Sequence, residues 1–194
     1  RVRINAQKLK AQCFGAAERT VLVTCHLNDT LIGHVFKTRS RWSARVAGWI
    51  TQLVVNSQHC RHYIATSLLQ TLTFHTLFQR VTVFGLASSH PAACNALAKI
   101  ARLRMNEIDL AFIGANASRV LASSTVGYIK TAELRGTVFG DAHDPAVVSS
   151  AFTNFYVSHV EPLDILETYV ARSNWSLEEL LEGHEFLIIV PVSK

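Results

Sequence analysis

The chain has 194 residues, 49% of them hydrophobic and 17% charged, with a formal net charge of +5. That balance excludes a disordered chain, and the length suffices for one domain with a full core. No apolar run reaches the roughly 18 residues of a bilayer span, and the 19 Lys and Arg are scattered. Both observations argue against a membrane or nucleic acid as partner, while the positive balance suits a small phosphate-bearing ligand.

In chain order, residues 4–18 are expected to form a helix, with Ile4, Leu9, Cys13 and Phe14 as a partial apolar stripe that breaks near Gly15. Residues 20–27 are β-branched and strand-like, Asn28-Asp29 is a turn signal, and residues 31–38 return as the second arm of a hairpin. Residues 46–55 (VAGWITQLVV) read as a third strand, apolar enough to be central. The period then changes, with Ile64, Leu68, Leu69 and Leu72 at helical spacing between residues 62 and 78. Residues 81–86 are a strand, and Pro91 opens a helix that reaches Ile100. Residues 108–122 read as helix, 126–129 as a short strand and 136–150 as a loop. Residues 152–160 read as a strand, 162–172 as a helix, 177–181 as a further helical turn and 185–192 as the last strand. Strands interleaved with helices specify an α/β (α+β) domain on one mixed sheet.

Cys13, Cys25, Cys60 and Cys94 are far apart and lack zinc-ligand spacing, so reduced thiols and a cytoplasmic setting are expected. Asp141, His143 and Asp144 lack further ligands nearby, so no metal is expected. Gly-x-Ser-x-Gly, P-loop and dinucleotide glycine motifs are absent. The informative segment is 49–69, WITQLVVNSQHCRHYIATSLL. A strand ends in LVV, a short polar loop follows, and a helix is expected to start at Ala65. Such a loop and helix N-terminus offer unpaired N–H groups and a favourable dipole to an anion, and Arg61 and His62 add positive charge. Gln52, polar in an apolar strand, either faces solvent or lines an acceptor slot.

This segment resembles the acyl-CoA-binding motif of the GNAT acyltransferases, a strand followed by Arg/Gln-x-x-Gly-x-Gly/Ala. Cys60 falls on the Arg/Gln position, Tyr63 on the first Gly and Ala65 on the last; Cys60 and Tyr63 depart from the pattern. A second likeness follows strand VTVFGL, where His90, Ala93 and Leu97 fall on the family's Asn-x-x-Ala-x-x-x-Tyr helix. Leu97 replaces a Tyr that often protonates the departing thiolate in the family. Segments WITQLVV and GHEFLIIVP are also similar to those of fungal GNAT-like proteins. The resemblance implies a GNAT-type mixed, mostly antiparallel sheet flanked by helices in one domain over 1–194. The cofactor core would span about 20–102, an insertion about 103–150 and a C-terminal sheet segment about 151–192.

The resemblance further implies acetyl-CoA as cosubstrate and an amine as acceptor, with N-acetyl transfer as the reaction. Leu53, Val54 and Val55 would pair with the pantetheine. Cys60, Arg61, His62, Tyr63, Ile64, Ala65, Thr66 and His90 would hold the rest of the cofactor, and Gln52 would face the acceptor. No catalytic residue is named by the sequence, and a homodimer stays open. Two rivals stand beside a small-molecule acetyltransferase: a CoA-binding regulatory protein that has lost turnover, suggested by Tyr63 and Leu97, and a protein N-acetyltransferase, against which the basic charge counts.

Overall fold

The computed structural model describes residues 7, 14, 16–141 and 144–192. Most of the helix expected over 4–18 lies outside the described residues, and its described end, Ala17–Arg19, is a 3-10 turn. Among the described residues seven strands form one sheet: β1 (Thr20–Leu27), β2 (Thr30–Trp42), β3 (Arg45–Val55), β4 (Val83–Ser88), β5 (Glu133–Arg135), β6 (Ser150–Phe152) and β7 (His184–Pro191). Their order is β1-β2-β3-β4-β7-β6-β5. The hairpin of β1 and β2 closes at Asn28 and Asp29, both at positive φ (46° and 63°). These short polar residues tolerate that conformation, and two such residues match the twist of the flanking strands.

Only β3 and β4 run parallel; every other neighbouring pair is antiparallel. A parallel step needs a long crossover, supplied here by α1 (Ile64–Phe74). Helices α2 (Pro91–Ile100) and α5 (Val160–Ala171) pack against one another on the same side as α1. On the opposite face lie α3 (Leu110–Ala122), tied to β2 by a 3.1 Å hydrogen bond between Ser123 and Ser40, and the single turn α4 (Gly127–Lys130). The mixed, mostly antiparallel sheet flanked by helices is the architecture the resemblance implies.

The two faces are fixed by what the glycines and aromatics touch. A Cβ on Gly33 would meet Ile64 and Leu68, so the odd residues of β2 face α1. On that face Lys37 is wholly buried, its Nζ 3.5 Å from the Phe84 ring centre and 4.3 Å from that of Phe78. On the other face the Trp49 ring lies over Gly85, where a Cβ would come within 2.3 Å of it.

Several expectations are corrected. Residues 126–129 are not a strand: Val126 is extended, and Gly127–Lys130 is a helical turn. Val126 and Ile129 are both buried, three residues apart, a helical spacing rather than a strand's. Strand β6 stops at Phe152 instead of reaching 160, because its partner β7 begins at His184, opposite Phe152. The N–H groups of Thr153 and Asn154 then both turn to the Gly183 carbonyl. Residues 177–181 are not helical; Glu178 has φ 55° and bridges to Val147. The expected loop over 136–150 contains a 3-10 turn, Thr137–Phe139, and just before it lies β5, which sequence reading missed.

Candidate functional site

The site is built by a defect in β3. Phe36 pairs with Gln52 and Lys37 with Ile50, so Thr51 is an extra residue, a β-bulge. A bulge bends its strand and raises the local twist. Parallel pairing to β4 covers only Ala47–Ile50 against Val83–Leu86. Beyond it, Gln52 to Val55 continue paired to β2 alone, while β4 runs on to Ser88 against β7. The two strands therefore part into a slot, and Leu53, Val54 and Val55 edge it. The bulge also shifts the side-chain alternation of β3 by one residue, so that Gln52 shares the face of its partner Phe36, which is the face of Trp49. The Tyr128 hydroxyl of α4 donates to the Thr51 carbonyl at 3.3 Å and holds the bulge from that side.

Helices α1 and α2 both begin at this open end. After β3, Asn56 caps a short 3-10 turn, Ser57–His59, by accepting from the Gln58 N–H. Arg61 and Tyr63 then take positive φ, 67° and 60°. Tyr63 thus adopts the left-handed conformation for which the motif uses glycine, so the substitution leaves the turn in place. Its ring points outward, 72% exposed, with Lys99 Nζ 5.6 Å from the ring centre. Helix α1 begins at Ile64, one residue before the expected Ala65, without a side-chain cap. Its first backbone bond runs from Ser67 N–H to Tyr63 O, which leaves the Ile64, Ala65 and Thr66 N–H groups pointing out of the helix start. Arg61 and His62 are exposed beside it.

Cys60 is exposed, and its thiol donates to the Asn56 carbonyl at 3.6 Å. At the head of α2, His90 Nδ1 accepts the Ala92 N–H at 3.1 Å, which places the ring proton of the neutral imidazole on Nε2. Burial lowers the His90 pKa and outweighs the opposing pull of Glu161, whose carboxylate lies 3.9 Å from Nε2. Gln52 and His34 meet across the strands, Oε1 to Nε2 at 3.0 Å. Leu97, by contrast, is wholly buried in the core. Sequence reading missed His34 and Tyr128, whose places depend on cross-strand register and on the fold of the 103–150 segment. Two surface hollows of about 320 and 370 Å³, one beside α3 and β5, the other around Tyr156 and Gly183, lie outside this slot.

Strand order, the single parallel step and the paired helix starts together match the GNAT fold. No protein-family model matches the sequence, and no curated protein matches it significantly. Among solved structures the chain is similar to an aminoglycoside 6'-N-acetyltransferase complexed with coenzyme A (20% identity, 36% of this chain and 38% of that one, TM-score 0.31). It is also similar to the diaminobutyrate acetyltransferase EctA of Paenibacillus lautus in complex with its substrate and coenzyme A (20% identity, 42% and 49% covered, TM-score 0.35). A GNAT-family acetyltransferase of Streptococcus pneumoniae matches over 90% of this chain and 68% of its own, at 12% identity and TM-score 0.43. The matched region is less than two thirds of the length of the first two of these proteins. Among the described residues no helix is long and apolar enough to cross a membrane.

Proposed function

We propose that this protein transfers an acetyl group from acetyl-CoA to the nitrogen of a small amine. The observation that carries the reading is the slot between β3 and β4, opened by the bulge at Thr51 and headed by the starts of α1 and α2. An extended pantetheine arm would lie along Leu53, Val54 and Val55 as a substitute strand. The pyrophosphate would sit over Cys60–Thr66, on the N–H groups of Ile64, Ala65 and Thr66, with Arg61 and His62 as counter-charges. His90 would shape the far wall by capping α2, and Gln52, oriented by His34, would meet the acceptor. Backbone N–H groups at the splayed edge would stabilise the developing oxyanion, a contribution worth a few kcal/mol in acyl transfer.

Calorimetric titration with acetyl-CoA, followed by measurement of CoA release with a panel of alkylamines, polyamines and peptides, tests the reading. Binding with release to small amines supports it. The exposed Cys60 thiol gives a second readout, since bound CoA should shield it from alkylation. A protein that neither binds acetyl-CoA nor releases CoA overturns the reading.

A further inference from the structure

Glu185 is the second residue of β7, and it does not lie at a surface like most carboxylates. It pairs in register with Ala151, and its neighbour in phase, Leu187, pairs with Ala87. Ala87 shares the face of Gly85, on which the Trp49 ring rests. Glu185 therefore projects on the same face as Trp49 and Gln52, at the end of the sheet where β3 and β4 separate. One strand lies between it and the slot, and adjacent strands are roughly 4.8 Å apart. The β4 residues on this face at that end of the strand, Gly85 and Ala87, carry almost no side chain to stand between them.

The surroundings of the carboxylate are unusual. Glu185 Oε2 and the Thr153 hydroxyl are both buried and neither makes a hydrogen bond of ordinary geometry, yet the hydroxyl lies close enough to the carboxylate to favour its charged form. A buried carboxylate with so few donors around it is costly to keep charged. Burial raises the Glu185 pKa, and the nearby Thr153 only partly opposes this. A carboxylate with a raised pKa is a better base near neutrality.

We infer that Glu185 takes the proton from the attacking amine. The inference rests on the acyl-transfer reading above. The ammonium first loses one proton to water at the mouth of the slot. The amine lone pair forms the new C–N bond, the C–S bond breaks with its electron pair remaining on sulfur, and the second N–H proton passes to Glu185. Solvent protonates the thiolate, and Glu185 returns its proton to solvent before the next turnover. Thr153 would orient the carboxylate by donating its hydroxyl proton once Glu185 is charged.

The test compares wild type, Glu185→Gln and Glu185→Ala with acetyl-CoA and n-butylamine or putrescine as acceptors, each variant checked by circular dichroism. General base catalysis typically contributes about 10²–10⁴-fold, so kcat should fall at least about a hundredfold in Glu185→Gln while calorimetric CoA affinity stays within about twofold. Sodium formate should restore part of the rate of Glu185→Ala, which a residue of merely structural role would not allow. A Glu185→Gln enzyme within a few-fold of wild type, or no formate rescue, overturns the assignment and leaves the acyl-transfer reading standing. A wild type that acetylates no amine overturns both.

Discussion

Replacing Lys37 with Met removes a charge from the centre of the sheet while keeping an unbranched side chain of similar length. Lys37 is 1% exposed, and its only cation-stabilising contacts among the described residues are the rings of Phe84 and Phe78. A desolvated cation–π contact returns about 2 kcal/mol, against several kcal/mol for burying an ammonium. Burial therefore holds the Lys37 pKa well below that of a free lysine. The unfolded chain binds the extra proton between the depressed folded pKa and the ordinary value near 10.4. Stability must then rise with pH through that window and level off above it, by about 1.4 kcal/mol for each unit of pH spanned. With an m-value of about 2 kcal/mol/M in urea, the wild-type midpoint should climb by roughly 0.7 M per pH unit relative to Lys37→Met. The variant should also be the more stable protein at pH 7, as is common when a buried ion gives way to an apolar residue. Urea titrations of both proteins from pH 7 to pH 10.5 decide the matter. Parallel pH profiles, or a Lys37→Met protein less stable at pH 7, would refute the reasoning.

Three further outcomes are expected. Arg61→Glu should weaken CoA binding about tenfold at low salt, with the gap closing as ionic strength rises; calorimetry at two salt concentrations reads both. Tyr63→Gly should leave stability unchanged or raise it by up to about 1 kcal/mol, because relief of a left-handed non-glycine residue offsets the added chain entropy; a loss of more than about 1 kcal/mol in urea unfolding would contradict the assigned turn. Leu97→Tyr should destabilise by about 1–3 kcal/mol through overpacking and should not raise the rate of CoA release, since Leu97 has no exposed surface from which a hydroxyl could reach sulfur.

The strands and helices that carry long periodic runs were legible. The hairpin could be read from Asn28-Asp29, the central strand from its apolar run, and α1 from Ile64, Leu68, Leu69 and Leu72. The failures fall where pairing partners rather than residue preferences decide. Residues 152–160 have a strand's composition, yet extension ends at Phe152 for want of a partner beyond His184. Strand β5 is three residues long without a β-branched side chain, and its Arg135 is held by Glu133 and Asp141 at 2.9 and 3.5 Å. The strand–loop–helix run of the candidate site could be read, and so could its basic residues. The bulge at Thr51 could not, since a register shift is a property of two strands. Nor could the place of Glu185, whose chemistry follows from sharing a face with residues far away in the chain.

The four-residue parallel seam between β3 and β4 bears on how the chain comes to fold. On its N-terminal side, β1 to β3 form a meander of neighbours joined by tight turns, where each pairing closes a short loop. On its C-terminal side, β4 must wait for β7, which follows four helices and two short strands in the chain. Loop closure of that kind is slow compared with hairpin formation. The meander is thus suited to form as an early cooperative unit, and β4 with its antiparallel partners as a late one, joined where Ala47–Ile50 meets Val83–Leu86. In amide hydrogen exchange the two units would open separately, with the seam as the boundary between them.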